Sequence, residues 1–176
     1  MDISKLESLK PEQVTPEIKR AVAAFLLAKT YAELKREEVD AVKREVLATV
    51  AYMVAPEHRE DGKPERITDP KRDWLMPDED FKDYLAQCEK VELERGIRPA
   101  DMKPGYCPAL VAESLLTDAE RVLVAATEPL TGVKWDNLVR YLTGHDKLAT
   151  VEWCELWAKI VVCLPDFRNP LTGKAA

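Results

Sequence analysis

The stretch EIKRAVAAFLLAKTYAELKREEVDAVKREVLATVAYMVA, residues 17–55, decides how this chain folds. It contains no Gly, Pro or Asn, and Ala, Leu, Glu, Lys and Arg dominate it. These residues lose the least conformational entropy in a helix, so the stretch predicts one long helix. The pair Thr15-Pro16 predicts its start, because a Thr cap followed by Pro suits a first helical turn. A break at Thr30 stays open as an alternative, since Thr30 and Glu33 form a second possible capping box.

The long helix carries two apolar faces. With heptad position a at Ile18, nine of the eleven a and d positions are apolar. This pattern is typical of a coiled coil, and it predicts a parallel pair in which Glu38 lies opposite Lys43 of the mate. The interface residues that it predicts are Ile18, Phe25, Val39, Val42, Val46 and Met53.

The second face holds the leucines that lie off this seam, which are Leu26, Leu27, Leu34 and Leu47. We expect this face to turn toward the rest of the same chain. In the alternative, both faces pack inside one subunit, because periodicity does not distinguish self-association from intramolecular packing.

Prolines divide the remaining chain into further helices, because Pro in a helix interior costs about 3 kcal/mol. The intervals between prolines predict helices over 78–98 and 109–128, and a pair over 134–143 and 146–164 separated by Thr143-Gly144. A short helix near residues 4–10 is also possible. The predicted fold is therefore all-α, a helical bundle of about five helices in a single domain over 1–176. The helices at 109–128 and 146–164 are expected to form the core.

Two segments are predicted to pack poorly. Residues 56–73 contain 11 charged residues out of 18, and Ile67 is their one large apolar side chain. We therefore expect an extended charged loop that is disordered or loosely packed and that proteases cut first. The tail, residues 165–176, is expected to fray.

Composition narrows the possible partners and the location. The net charge is −6, and acidic and basic residues alternate through most of the chain, which disfavours nucleic-acid binding. No apolar run approaches the ~18 residues of a membrane span. We therefore expect a cytoplasmic protein whose four cysteines are reduced, with no membrane partner.

Cys107 and His145 are the candidate catalytic residues. Cys107 directly precedes a predicted helix at Pro108, where the helix dipole favours a thiolate. His145 could serve as its base, with Asp136, Asn137 or Asp146 orienting the ring. The four cysteines lie too far apart for a paired zinc motif, and the chain has no phosphate-binding glycine loop, so no metal or cofactor is predicted.

The sequence thus predicts a non-enzymatic helical interaction or adaptor protein. Its expected partner is a protein, most simply a second copy that docks on the helix at 17–55. The alternative is a small thiol-dependent hydrolase or transferase with Cys107 as nucleophile and His145 as base.

Overall fold

The computed structural model describes residues 11–132, and this part of the chain is mostly helical. It contains three α-helices: α1, Pro16–Thr49, α2, Asp78–Glu94, and α3, Pro108–Thr131. Short 3-10 turns cover Pro11–Gln13, Pro56–His58, Glu60–Gly62 and Pro70–Leu75. No strand forms within these residues, although Met53 and Arg66 make an isolated antiparallel bridge. The predicted helices near 4–10, at 134–143 and at 146–164, and the predicted tail at 165–176, lie outside the described residues.

Helix α1 starts where the sequence predicts. The Thr15 hydroxyl accepts a hydrogen bond from the Ile18 amide at 3.2 Å, which satisfies a backbone donor of the first turn. The helix then runs without interruption through Thr30, so the alternative break does not occur. At 1.5 Å per residue its 34 residues extend about 51 Å.

Helix α1 ends at Thr49, six residues before the predicted end at Ala55. Residues beyond it turn into an extended segment that pairs with residues 65–67. The Val54 amide donates to the Glu65 carbonyl at 2.8 Å, and the Ile67 amide donates to the Tyr52 carbonyl at 2.9 Å. These long-range hydrogen bonds replace the helical ones, and a local sequence pattern does not contain them.

Arg66 closes the carboxyl end of α1. Its guanidinium Nη2 donates to the carbonyls of Leu47 at 3.0 Å, Val50 at 3.3 Å and Ala48 at 3.4 Å. Carbonyls in the last turn of a helix lack partners within the helix. A cation there also interacts favourably with the negative end of the helix dipole. A charged residue of the predicted loop therefore helps to define where α1 stops.

The prediction of a loose loop over 56–73 is wrong in one important respect. Ile67 is 1% exposed and belongs to the core. The segment is also held by side chains, because Arg59 Nε donates to the Val54 carbonyl at 2.7 Å and Asp69 accepts the Lys71 amide at 3.0 Å. Three short 3-10 turns place these anchors, so the segment is ordered by contacts rather than by composition.

Helix α2 begins at Asp78, as predicted, with three acidic residues in its first turn. It turns Tyr84, Cys88 and Glu92 inward. The helix stops at Glu94, four residues before the predicted end, because Gly96 adopts a positive φ of 69° that closes the helix. The amide of Ile97 then donates back to the Glu92 carbonyl at 2.9 Å.

Helix α3 covers the predicted 109–128 and extends past it. Pro129 lies inside the helix, two residues before its last residue, Thr131. Thr117, which with Glu120 resembles a helix-start signal, instead lies in the helix interior and donates to the Glu113 carbonyl at 3.0 Å.

The chain divides into two compact units, where the sequence predicts one domain. One unit contains Glu33–Val111, and the other contains the residues up to Ala32 and from Ala112 onward. The core of the first unit consists of Val42, Val46, Leu47, Tyr52, Val54, Ile67, Leu75, Met76, Tyr84 and Cys88. The core of the second includes Val14, Ile18, Ala21, Val22 and Leu123, with Phe25 and Leu130 packed against it.

Candidate functional site

The seam that the sequence predicts as an interface is largely occupied by the chain itself. Ile18 packs against Leu123, and Val42 and Val46 pack in the core with Ile67. Of the six predicted interface residues, Ile18, Val39, Val42 and Val46 are buried, Phe25 is partly buried, and Met53 lies beyond the end of α1. Four of the six therefore offer no surface to a partner in this conformation.

A different face of α1 is exposed. Its residues follow one another at alternating intervals of four and three, so they line up along one side of the helix. We call this set the outer face of α1, and it consists of Arg20, Ala24, Leu27, Tyr31, Leu34 and Glu38. Tyr31 is 40% and Leu34 is 42% exposed. Arg20, Ala24 and Glu38 are also exposed, and Leu27 is partly exposed.

The two apolar faces of α1 are therefore not divided between core and surface as the sequence predicts. Leu27 and Leu34 are expected to face the protein's own core. Leu27 is instead partly exposed, and Leu34 is exposed. Val39, Val42 and Val46, expected to face a partner, are buried. Leu26 and Leu47 of the same predicted face pack with the core, so only Leu27 and Leu34 belong to the surface available for an interaction.

Charge is distributed unevenly along the outer face. Arg20 lies toward the amino end of α1 and Glu38 toward its carboxyl end, with four apolar positions between them. Glu38 also accepts a hydrogen bond from Lys35 Nζ at 2.8 Å within the same helix. An exposed ion pair at this spacing contributes only about 0.3–0.5 kcal/mol, so Glu38 can also meet a cation on another molecule.

The candidate nucleophile Cys107 lies directly before α3, as predicted. Its side chain is half-buried, and its carbonyl accepts the Val111 amide at 3.2 Å. Its candidate base His145, with Asp136, Asn137 and Asp146, lies outside the described residues. The structure therefore shows Cys107 at the start of α3. The pairing of Cys107 with His145 stays a prediction.

Cys88 is a different kind of thiol. It is buried in the core on α2, beside Tyr84. Burial raises the pKa of its thiol to about 11. Only about one such thiol in a thousand is ionised at pH 8, so we expect Cys88 to react slowly in the folded protein.

Thiol labelling of the native protein at pH 8 tests both cysteines. We expect a small alkylating probe to modify Cys88 at least a hundredfold more slowly than Cys107, with the sites assigned by mass spectrometry. We also expect Cys107 to react no faster than free cysteine, because a half-buried thiol is less accessible to the probe. A rate at Cys107 more than tenfold above that of free cysteine would instead support the thiol-dependent enzyme.

A buried ion pair lies between α2 and the segment that leads to Cys107. Arg98 donates to the Glu92 carboxylate from Nε at 2.9 Å and from Nη2 at 2.8 Å. Its Nη2 also lies 3.6 Å from Glu89 Oε1, and the same oxygen accepts the Gly105 amide at 3.0 Å. These contacts attach residues 98–105 to one side of α2.

The charges in this pair are strongly desolvated. Glu92 is 3% and Arg98 is 9% exposed, and Arg98 Nη1 is buried with no hydrogen-bond partner among the described residues. Burial raises the pKa of Glu92, and the hydrogen bond and charge of Arg98 oppose that rise. Sequence reasoning misses this pair because Glu and Arg at these positions look like ordinary surface residues of a charged chain.

Two shallow clefts lie in the Glu33–Val111 unit. One, of about 300 Å³, combines Asp40, Asp69 and Asp73 with Lys43, Arg44 and Lys71. Lys43 Nζ already lies 3.4 Å from Asp73 Oδ2, and three acidic side chains balance three basic ones. This balance favours neither an anionic nor a cationic ligand.

The other cleft, of about 350 Å³, is open to solvent and lies in the segment before Cys107. It is lined by Pro99, Asp101, Met102, Lys103, Tyr106 and Val111. Within residues 11–132, no three His, Cys, Asp or Glu side chains converge closely enough to hold a metal ion.

The helices of this part of the chain are α1, α2 and α3, and none of them combines the length and the apolar character needed to cross a bilayer. Comparisons of the chain with protein-family models, with curated proteins and with solved structures find no match.

Proposed function

We propose that this protein is a non-enzymatic interaction or adaptor protein of the cytoplasm that self-associates through the outer face of α1. The observation that supports this function is an apolar row at intervals of four and three, in which Leu27 is partly exposed and Tyr31 and Leu34 are exposed. Single exposed apolar side chains are common on protein surfaces, whereas a row at this spacing matches the way one helix packs on another. The proposal keeps the predicted helix and changes the face that it uses.

The expected association is weak. The apolar part of the outer face is short, and its side chains are already partly covered by their own helix. Small interfaces of this kind support transient complexes rather than permanent ones. We therefore expect a dissociation constant of about 10 µM to 1 mM, which corresponds to about 4–7 kcal/mol.

Sedimentation velocity over a concentration series tests the proposal. We expect the wild-type chain to shift from monomer toward dimer as its concentration rises through this range. Tyr31→Asp with Leu34→Asp should keep the chain monomeric, because burial of two carboxylates between the helices costs more than the contact gains.

The matched control is Leu115→Asp with Val122→Asp on α3, where the same chemistry changes two side chains that are 51% and 56% exposed. This control should associate like the wild type. A wild-type chain that stays monomeric up to about 1 mM would overturn self-association, and equal loss in both double variants would remove the outer face as its site.

A further inference from the structure

The outer face of α1 is electrically asymmetric along the helix, which restricts how two copies can meet. Read from the amino end, its residues are a cation, four apolar side chains and an anion. Both charged residues, Arg20 and Glu38, are exposed. When a second copy lies in the opposite direction, the positive end of each face therefore meets the negative end of the other.

We propose that two copies pair in antiparallel orientation, and that Arg20 and Glu38 are the residues that set this orientation. The inference rests on the proposed self-association and specifies its geometry. The two helices lie along each other in opposite directions, with the two-fold axis near Lys29. Arg20 of each copy then faces Glu38 of the other at both ends of the contact.

The apolar residues match in the same register. When Arg20 faces Glu38 of the second copy, positions whose numbers sum to 58 lie opposite each other. Leu27 therefore faces Tyr31 of the second copy, and Ala24 faces Leu34. A small residue against a larger one, and an aliphatic residue against an aromatic one, fill the space between helices that approach closely.

The flanking positions tolerate the same arrangement. Ala28 and Thr30 lie on either side of the two-fold axis, so Ala28 of each copy faces Thr30 of the other, and both are uncharged. Ala23 faces Lys35 of the second copy, whereas Ala21, whose position would lie opposite Glu37, is buried in the core of its own chain. No like charges therefore meet along the contact, so nothing in the sequence of the face opposes the antiparallel pair.

The parallel pair is disfavoured by the same residues. In register, it places Arg20 against Arg20 and Glu38 against Glu38 of the second copy. Like charges directly opposite each other at a helix contact repel, and they also desolvate each other without compensation. The parallel pairing of Glu38 with Lys43, which the buried seam predicts, is not available to the outer face, because Lys43 lies on a different side of α1.

Charge reversal tests the orientation by sedimentation velocity, with thermal unfolding to confirm that each variant folds. We expect Arg20→Glu alone and Glu38→Arg alone to weaken self-association by about tenfold or more, because each places two like-charged contacts in the dimer. The double variant, Arg20→Glu with Glu38→Arg, should associate like the wild type, because the order of charges is reversed and remains self-complementary.

The outcomes separate this inference from the proposed function. If the wild type associates and the single reversals leave the association unchanged or strengthen it, the antiparallel arrangement is overturned while self-association stands. If the double variant associates no better than the single ones, Arg20 and Glu38 do not pair with each other. If the wild type never associates, the proposed function fails together with its geometry.

A matched charge control uses a residue of the same helix off the outer face. Arg44→Glu changes an exposed arginine by the same two units of charge. This variant should weaken self-association by less than about threefold, since its contribution is a screened effect of net charge. A loss equal to that of Arg20→Glu would mean that net charge, and not a specific pair, controls the association.

Discussion

Replacement of Arg98 by Met is expected to lower the free energy of unfolding by about 3–5 kcal/mol. The Glu92 carboxylate is 3% exposed and takes two hydrogen bonds from the Arg98 guanidinium. Removal of the arginine leaves this carboxylate buried without its counter-charge, and it also detaches the segment that Arg98 and Gly105 hold on α2. Chemical denaturation at pH 7 measures the loss.

Arg95→Met is the matched control, because it removes an arginine only three residues away. Arg95 pairs with Glu45, and the two side chains are 44% and 48% exposed. A surface pair of this kind contributes about 0–1 kcal/mol, so the control should be several-fold less destabilised than Arg98→Met. Equal losses in the two variants would mean that the Arg98 pair is not desolvated as described.

The pH dependence gives a second readout of the same pair. Burial raises the pKa of Glu92 above its unfolded value, so the folded state binds the extra proton more readily. The stability that this group contributes is therefore present at acidic pH and is lost as pH rises through the folded pKa. In Arg98→Met the opposing cation is absent, so we expect its deficit relative to the wild type to shrink between pH 7 and pH 5. A deficit that grows over this interval would contradict the assignment.

Replacement of Ile67 by Ala is expected to cost about 2–4 kcal/mol, which is large for a residue in a segment whose composition predicts disorder. Ile67 is 1% exposed and packs in the core with Val42, Val46 and Tyr84. Its amide also pairs with Tyr52 across the chain. Truncation leaves a cavity at the point where the segment is anchored, and denaturant unfolding measures the effect.

Limited proteolysis shows whether this anchor holds the segment. We expect residues 56–73 of the wild type to resist cleavage, contrary to the expectation from composition, and Ile67→Ala to become sensitive there. Thr68→Ala is the control, because Thr68 is exposed and its truncation should change stability by less than about 0.5 kcal/mol. Rapid cleavage of the wild type between Pro56 and Asp73 would show that Ile67 does not hold the segment in place.

Local signals predict the helices well. The Thr15 cap, the acidic first turn at Asp78 and the helix that starts at Pro108 all lie where the residues themselves favour them. Each depends on hydrogen bonds and dipole interactions among residues within one turn. The end of α1 is predicted poorly, because hydrogen bonds from Arg66 and pairing with residues 65–67 decide it.

The candidate interface also combines features that local sequence predicts with features that only long-range contacts decide. The sequence identifies α1 as a long helix with apolar residues on two of its faces. It does not identify which face the chain covers. Small and β-branched side chains such as Val42 and Val46 pack closely in the core, and Leu34 is left exposed. Periodicity describes the side of a helix on which a residue lies and carries no information about what covers it.

The sequence by itself determined that this protein is helical, that its long first helix starts after Thr15, and that it carries opposite charges at Arg20 and Glu38 with an apolar row between them. These properties depend on backbone propensity and on the order of residues, which are local. Only the tertiary structure decided that residues 56–73 are anchored by Ile67, that Arg98 and Glu92 are buried, and that Tyr31 and Leu34 of α1 are exposed. Such properties arise from contacts between residues far apart in the chain, which form only when the folded core excludes water.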